Sequence, residues 1–142
     1  MHVGIVSGYF NPLHKGHIEY INNAKTHCDY LVAIVNNDDQ VMVKQSKPFL
    51  DENHRKIIVE NLKSIDEVFI SIDNDLSISK TLKNIRLNFK EDICTFYNSG
   101  DRNFENWNNK ELKISKQYNI NLVCLNQPKI CSSSDILKYG IS

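Results

Sequence analysis

A continuous run of apolar and β-branched residues, Tyr30-Leu31-Val32-Ala33-Ile34-Val35, leaves this chain few ways to fold. A strand sends alternate side chains to opposite faces, so a run with no polar alternation needs apolar cover on both. That is the condition of a central strand in a parallel sheet, with helices packed on either side. Further runs repeat the theme at residues 3–6, 66–72, 93–97 and 120–125. Between them lie stretches of helical character. Residues 18–24 carry apolar positions at helical spacing, with Ile18 and Ile21 facing the core. Asp51 can cap a helix over 55–62 in which Ile58 and Leu62 stack at i, i+4. Residues 78, 82 and 85 mark an amphipathic helix, and two more are expected over 108–118 and around Ile136-Leu137. Asn36-Asn37-Asp38-Asp39 reads as a turn, and the mixed segment 41–48 as a mobile loop.

Strict alternation of strand and helix implies an α/β fold, an open parallel five-stranded sheet with helices on both faces and right-handed crossovers. The 142 residues suit a single domain with one core, and no repeat or linker divides them. Zero formal net charge argues against broad attraction to nucleic acid or to an anionic membrane surface. No apolar run approaches a membrane span, and the N-terminus lacks the build of a signal peptide, so a cytoplasmic protein is expected. Cys28, Cys94, Cys124 and Cys131 have no C-x-x-C or zinc-ligand spacing and read as buried, reduced thiols. No protein metal site is expected.

Ligands on open parallel sheets bind beyond the carboxyl ends of the strands. Three polar segments fall there: the loop after the first strand, Gly100-Asp101-Arg102 after the fourth, and Ser132-Ser133-Ser134 after the fifth. The first is the most informative. Ser7-Gly8-Tyr9-Phe10-Asn11-Pro12-Leu13-His14-Lys15-Gly16-His17 runs from a strand through a tight turn into a helix that opens with two histidines around a glycine. A helix start offers unpaired N–H groups and a positive dipole end to an anion. Gly16 removes a side chain where phosphates would have to come close.

The pattern G-x-F-[DN]-P-x-H-x-G-H resembles the HxGH nucleotidyltransferases, most nearly the cytidylyltransferase branch that includes the glycerol 3-phosphate enzymes. The resemblance implies a Rossmann-like sheet and transfer of CMP from CTP to a small phosphorylated or phosphonylated alcohol or amino alcohol. Pyrophosphate leaves, and Mg²⁺ is bound with the triphosphate. His14 and His17 would contact the triphosphate and stabilise its transition state, with Tyr9, Phe10 through its backbone N–H, Asn11 and Gly16 contacting the nucleotide. Residues 36–55 resemble the segment in which a lysine loop precedes a histidine-arginine pair. On that match Lys44 would reach the phosphates, Lys47 would assist at the acceptor, and Arg55 would contact the acceptor phosphate or the triphosphate. Gly100, Asp101 and Arg102 resemble the segment near the nucleobase, and the hydroxyls of Ser132, Ser133 and Ser134 resemble the cradle for the β- and γ-phosphates. Cys131 and Gln127 depart from the family pattern, leaving Lys129 as the cation nearest the family's arginine.

Related cytidylyltransferases are homodimers, and Tyr20, Val41, Met42, Val43 and Phe49 exceed what one buried face needs, so a dimer is expected. The alternative enzyme reading is an adenylyltransferase that uses ATP on a cofactor precursor such as nicotinamide mononucleotide or phosphopantetheine. A tRNA-charging domain would need more chain and a basic surface. A non-catalytic nucleotide-binding module would be expected to have lost one of the two histidines.

Overall fold

Each strand in the centre of this sheet is buried on both faces, and its side chains join two cores alternately, with the two-residue period of the backbone. The computed structural model describes residues 1–99 and 106–125. Its strands are β1 (His2–Gly8), β2 (Tyr30–Val35), β3 (Glu67–Ile70), β4 (Ile93–Asn98) and β5 (Asn121–Cys124). Its helices are α1 (Lys15–Lys25), α2 (Asp38–Val43), α3 (Glu52–Glu60), α4 (Ser79–Asn88) and α5 (Asn109–Gln117). All strands pair in parallel, in the order β3-β2-β1-β4-β5. The chain therefore reverses its winding between β1 and β4, the position at which such sheets open a crevice.

Leu31, Ala33 and Val35 join one core with Tyr20, Ile21 and Ala24 of α1 and Val59 of α3. Val32 and Ile34 join the other, with Leu82 and Ile85 of α4 and the partly buried Leu112 and Ile114 of α5. The expected α/β sheet with helices on both faces is thus present, and positions 78, 82 and 85 are buried as their spacing implied. Ile78 itself occupies the N-cap of α4 without a capping side chain. The buried carboxylate of Asp73 supplies the cap from outside, accepting from the Lys80 and Thr81 N–H groups and from the Thr81 hydroxyl.

Three local expectations are corrected. The turn and mobile loop expected over 36–48 contain the helix α2. Asn37 caps it reciprocally, its side chain accepting from Gln40 N–H while the Gln40 side chain accepts from Asn37 N–H. At its end Gln45 N–H donates to Met42 O at 2.9 Å and Ser46 N–H to Val41 O at 3.1 Å, with Gln45 at φ 61°. This is a Schellman motif with glutamine in the left-handed position that glycine usually takes. In α3 the buried face is Arg55 and Val59, whereas Ile58 is exposed. In α1 Ile18 faces solvent, and Tyr20 joins Ile21 in the core. Of the described cysteines, all free, Cys94 is buried while Cys28 and Cys124 are half-buried. No described helix is long and apolar enough to cross a membrane.

Candidate active site

The carboxyl ends of β1, β2 and β4, the loop after β1, the start of α1 and the segment before α4 enclose a cleft of about 450 Å³. That volume lies in the range of small-molecule sites. His14 is the N-cap of α1 and His17 its third residue. The Gly16 N–H donates to His14 Nδ1 at 3.1 Å, and the His14 N–H donates to His17 Nδ1 at 3.1 Å. Two orphan N–H groups of the helix start are thereby satisfied by imidazoles. A ring nitrogen that accepts carries no proton, so each imidazole holds its proton on Nε2 and offers that N–H as its donor. The two rings stack at 3.8 Å, and the edge of Phe10 packs against His17 at 5.0 Å. Burial, and then the neighbouring His14 imidazole, hold the His17 pKa down at about 4, so this ring is neutral at ordinary pH.

The reason for Gly16 differs from the expected one. A Cβ there would lie 3.0 Å from the His14 ring, so the glycine makes room for the folded-back imidazole and is not itself a wall of the cleft. Gly8 does the same for Phe10, whose ring a Cβ at position 8 would meet at 2.9 Å. Phe10 is buried with φ 49°, a strained backbone held by its packed ring.

Tyr9, Phe10, Asn11, His14, His17 and Lys44 line the cleft together. Lys44 is the C-cap of α2, and its ammonium sits 4.3 Å from the centre of the Tyr9 ring. The Asn11 amide is committed to the lysine loop, Nδ2 donating to Lys47 O at 2.9 Å and Oδ1 accepting from Phe49 N–H at 2.6 Å. Asn11 is thus a tether of the lysine loop as well as a residue of the cleft lining, and Lys47 takes part in the tether through its carbonyl.

Arg55 is corrected outright. Neither an exposed helix residue nor a wall of the cleft, it is 1% exposed. Its Nε donates to Leu50 O at 2.9 Å, its Nη1 to Tyr9 O and Asn36 O at 2.7 Å each, and its Nη2 to Asp38 Oδ1 at 2.6 Å. Four of the five guanidinium donors thus tie together the loops after β1 and β2 and the end of the lysine loop. His54 is exposed and paired with Asp51. Gly100, Asp101, Arg102, Gln127, Lys129, Cys131, Ser132, Ser133, Ser134 and the expected closing helix lie outside the described residues.

Several cleft residues escaped the sequence reading. Asn36 and Asn98 are polar residues at the carboxyl ends of β2 and β4, a signal that the strand-end rule could have used. Leu76, Ile78 and Phe96 make an apolar side. Behind it stands the buried Glu111, accepting from Ile78 N–H and from the Trp107 indole at 3.1 Å each. Nothing in the local sequence marks Glu111, a charged residue beside the core-facing Leu112 and Ile114 of α5. Among the described residues no group of three or more His, Cys, Asp or Glu side chains could hold a metal ion.

Residues 5–138 match the model of the family described as cytidylyltransferase-like. The chain is 31% identical over 137 residues to an FAD synthase of Ferroglobus placidus, covering 94% of this chain and 84% of that protein. It is 41% identical over 64 residues to a glycerol-3-phosphate cytidylyltransferase of Bacillus subtilis, covering 45% of this chain and 50% of that one. Among solved structures, a lipopolysaccharide core biosynthesis protein from Thermoplasma volcanium shares the fold, with a TM-score of 0.69 and 21% identity. That match covers 90% of this chain and 98% of the other.

Proposed function

The chain belongs to the cytidylyltransferase-like family and is a nucleotidyltransferase, and from that premise we propose that it joins a nucleoside monophosphate to a phosphate monoester. A phosphate oxygen of the acceptor attacks the α-phosphorus of a nucleoside triphosphate, the P–O bond to the β-phosphate breaks, and pyrophosphate leaves. The attacking oxygen is already anionic, so no general base is needed. Catalysis then consists of in-line positioning and of donors aimed at the charge that develops. The observation that carries this reading is the stacked His14–His17 pair, whose Nδ1 atoms are both consumed by the helix start. Each ring is left with one Nε2–H donor in a cleft that Lys44 also lines. Mg²⁺ enters as part of the substrate, carried by the triphosphate oxygens.

ATP is the first donor to test. A relative matched over nearly the whole chain is an FAD synthase, whereas the likeness to the cytidylyltransferase covers 45% of it. The histidine-arginine argument for CTP also weakens, because His54 is exposed and Arg55 is sealed inside. CTP remains the second reading, favoured by the higher identity of that shorter match. The acceptor is proposed as a phosphorylated alcohol, which on the ATP reading includes a flavin monophosphate and other cofactor precursors. Pyrophosphate release with ATP and CTP against a panel of phosphate monoesters tests both. Release with neither nucleotide would overturn the proposal.

A homodimer is proposed as well, now on a reduced set of residues. Tyr20 and Val41 belong to the subunit's own core, but Met42, Val43 and Phe49 stay exposed, as do Ile57 and Ile58 of α3. A monomer mass in light scattering at micromolar concentration would sink it. The free thiols of Cys28, Cys94 and Cys124 support a reducing, cytoplasmic setting.

A further inference from the structure

A six-residue helix cannot hold its own place, since isolated helices of that length do not persist in water. Yet α2 carries Lys44, and of its side chains only Gln40 and Val41 are buried. We propose that Gln40 is a positioning residue of the transfer reaction, its buried amide setting the register of the lysine-bearing helix against the cleft wall at residues 75–78. The assignment rests on the nucleotidyl-transfer reading above and adds to it.

Gln40 is fully buried, and its amide is saturated. Nε2 donates to Asp75 O at 2.8 Å and to Ser77 O at 2.9 Å. Oε1 accepts from Asn36 Nδ2 at 3.0 Å, from Asn37 N–H at 3.1 Å, and from the Ser71 hydroxyl. One amide therefore joins the ends of β2 and β3, the helix start and the segment that carries Leu76 and Ile78 into the cleft. Lys44 lies one turn further along, its N–H donating to Gln40 O at 3.0 Å. Lys44, Leu76 and Ile78 all line the cleft, and Gln40 sits on the helix that Lys44 ends while its amide bonds the backbone of residues 75 and 77. Asn37 reinforces the tie through Ser71 O and Asp73 O. Burying an amide this deeply is favourable only while all its bonds are made. The register of α2 is correspondingly sharp.

Gln40→Glu keeps the shape and the acceptor but replaces the donor. As a carboxylate it faces the carbonyls of Asp75 and Ser77; once protonated it can donate to one of them. Burial raises the pKa of such a carboxyl, so the defect should ease as pH falls. The charged groups around the position are Asp38 and Asp39 on α2, Glu52 and Arg55 of α3, Asp73 and Asp75 of the wall, and Lys110 and Glu111 of α5. All are shared with the wild type, so the ratio of variant to wild type isolates position 40.

The experiment measures pyrophosphate release for wild type and Gln40→Glu from pH 6 to 8. The expected result is a kcat/KM for the triphosphate lower by about 10- to 100-fold at pH 8, the scale of a small misplacement of a catalytic cation, and partial recovery toward pH 6. A folded variant with wild-type kcat/KM throughout, or with a deficit that ignores pH, overturns the assignment. Should the variant fail to fold, hydrogen exchange on the wild type decides. The amides of Val41, Lys44 and Ser46 should open as one unit with Ile78, and independent opening overturns the assignment. Wild-type turnover separates the two claims: without it the transfer reading falls, and with it only the role of Gln40 is at stake.

Discussion

Replacing His17 by glutamine separates the two jobs of its imidazole. Nδ1 closes the start of α1 by accepting from the His14 N–H at 3.1 Å, and Nε2–H is the donor for the cleft. Glutamine at the third helical position can close the same cap through its carbonyl, so the helix should persist. With that carbonyl on the cap, its NH2 is no longer held by a rigid ring at the place of Nε2. Losing one such donor to a developing charge costs about 2.7–4 kcal/mol, or 10²–10³ in kcat. Single-turnover pyrophosphate release measures it. The same variant carries a second, independent signature. The His17 pKa is about 4 in the fold against an ordinary 6.5, so between those values the unfolded chain takes up a proton that the native ring refuses. The stability that His17 protects is whole above pH 6.5 and drains away as pH falls toward 4. The gap is worth about 3 kcal/mol, discounted to about 1–2 because the ring is partly open to solvent at the cleft mouth. Urea denaturation at pH 7 and 4.5 should show that loss in wild type and not in His17→Gln. Parallel stability curves, or a folded variant within threefold of wild-type turnover, would refute the reasoning.

Gln45 sits at φ 61° where glycine is preferred, so Gln45→Gly should stabilise by about 1 kcal/mol in chemical denaturation; no gain would mean that the left-handed position costs nothing. Arg55→Ala strands the Asp38 carboxylate and three backbone carbonyls and should cost about 3–5 kcal/mol, if the chain folds at all. A loss under about 1 kcal/mol would contradict the strut assigned to it. Asn11→Ala should speed exchange of the Phe49 amide, and an unchanged rate would dismiss the tether. Trp107 is the single tryptophan and packs edge-on against Phe96 of the cleft at 5.4 Å, so nucleotide should shift its emission saturably. A silent titration at saturating nucleotide would exclude ligand from the Phe96 side.

Where physics acts over a few residues, the sequence alone was enough. The two-faced run 30–35 demanded cover on both sides and became β2, an inner strand of the sheet. The loop from Ser7 to His17 announced a strand, a turn and a helix start, because its caps and close approaches lie within three residues of one another. The short helix α2 stayed hidden for a related reason. Asparagine before aspartate suits a turn and a helix cap alike, and the buried amide that decides between them bonds to residues 31, 35 and 37 positions away. Arg55 shows the limit most plainly. Its sequence neighbours mark it as one more charge on a helix, yet its partners lie 5, 17, 19 and 46 residues away. A guanidinium can leave water only where carbonyls and a carboxylate converge to replace it, and convergence is a property of the folded sheet. Local periodicity and caps therefore determined the strands and most of the helices and singled out the loop after β1. Which polar side chains reach into the cleft and which are used up in holding it was decided only by tertiary contacts.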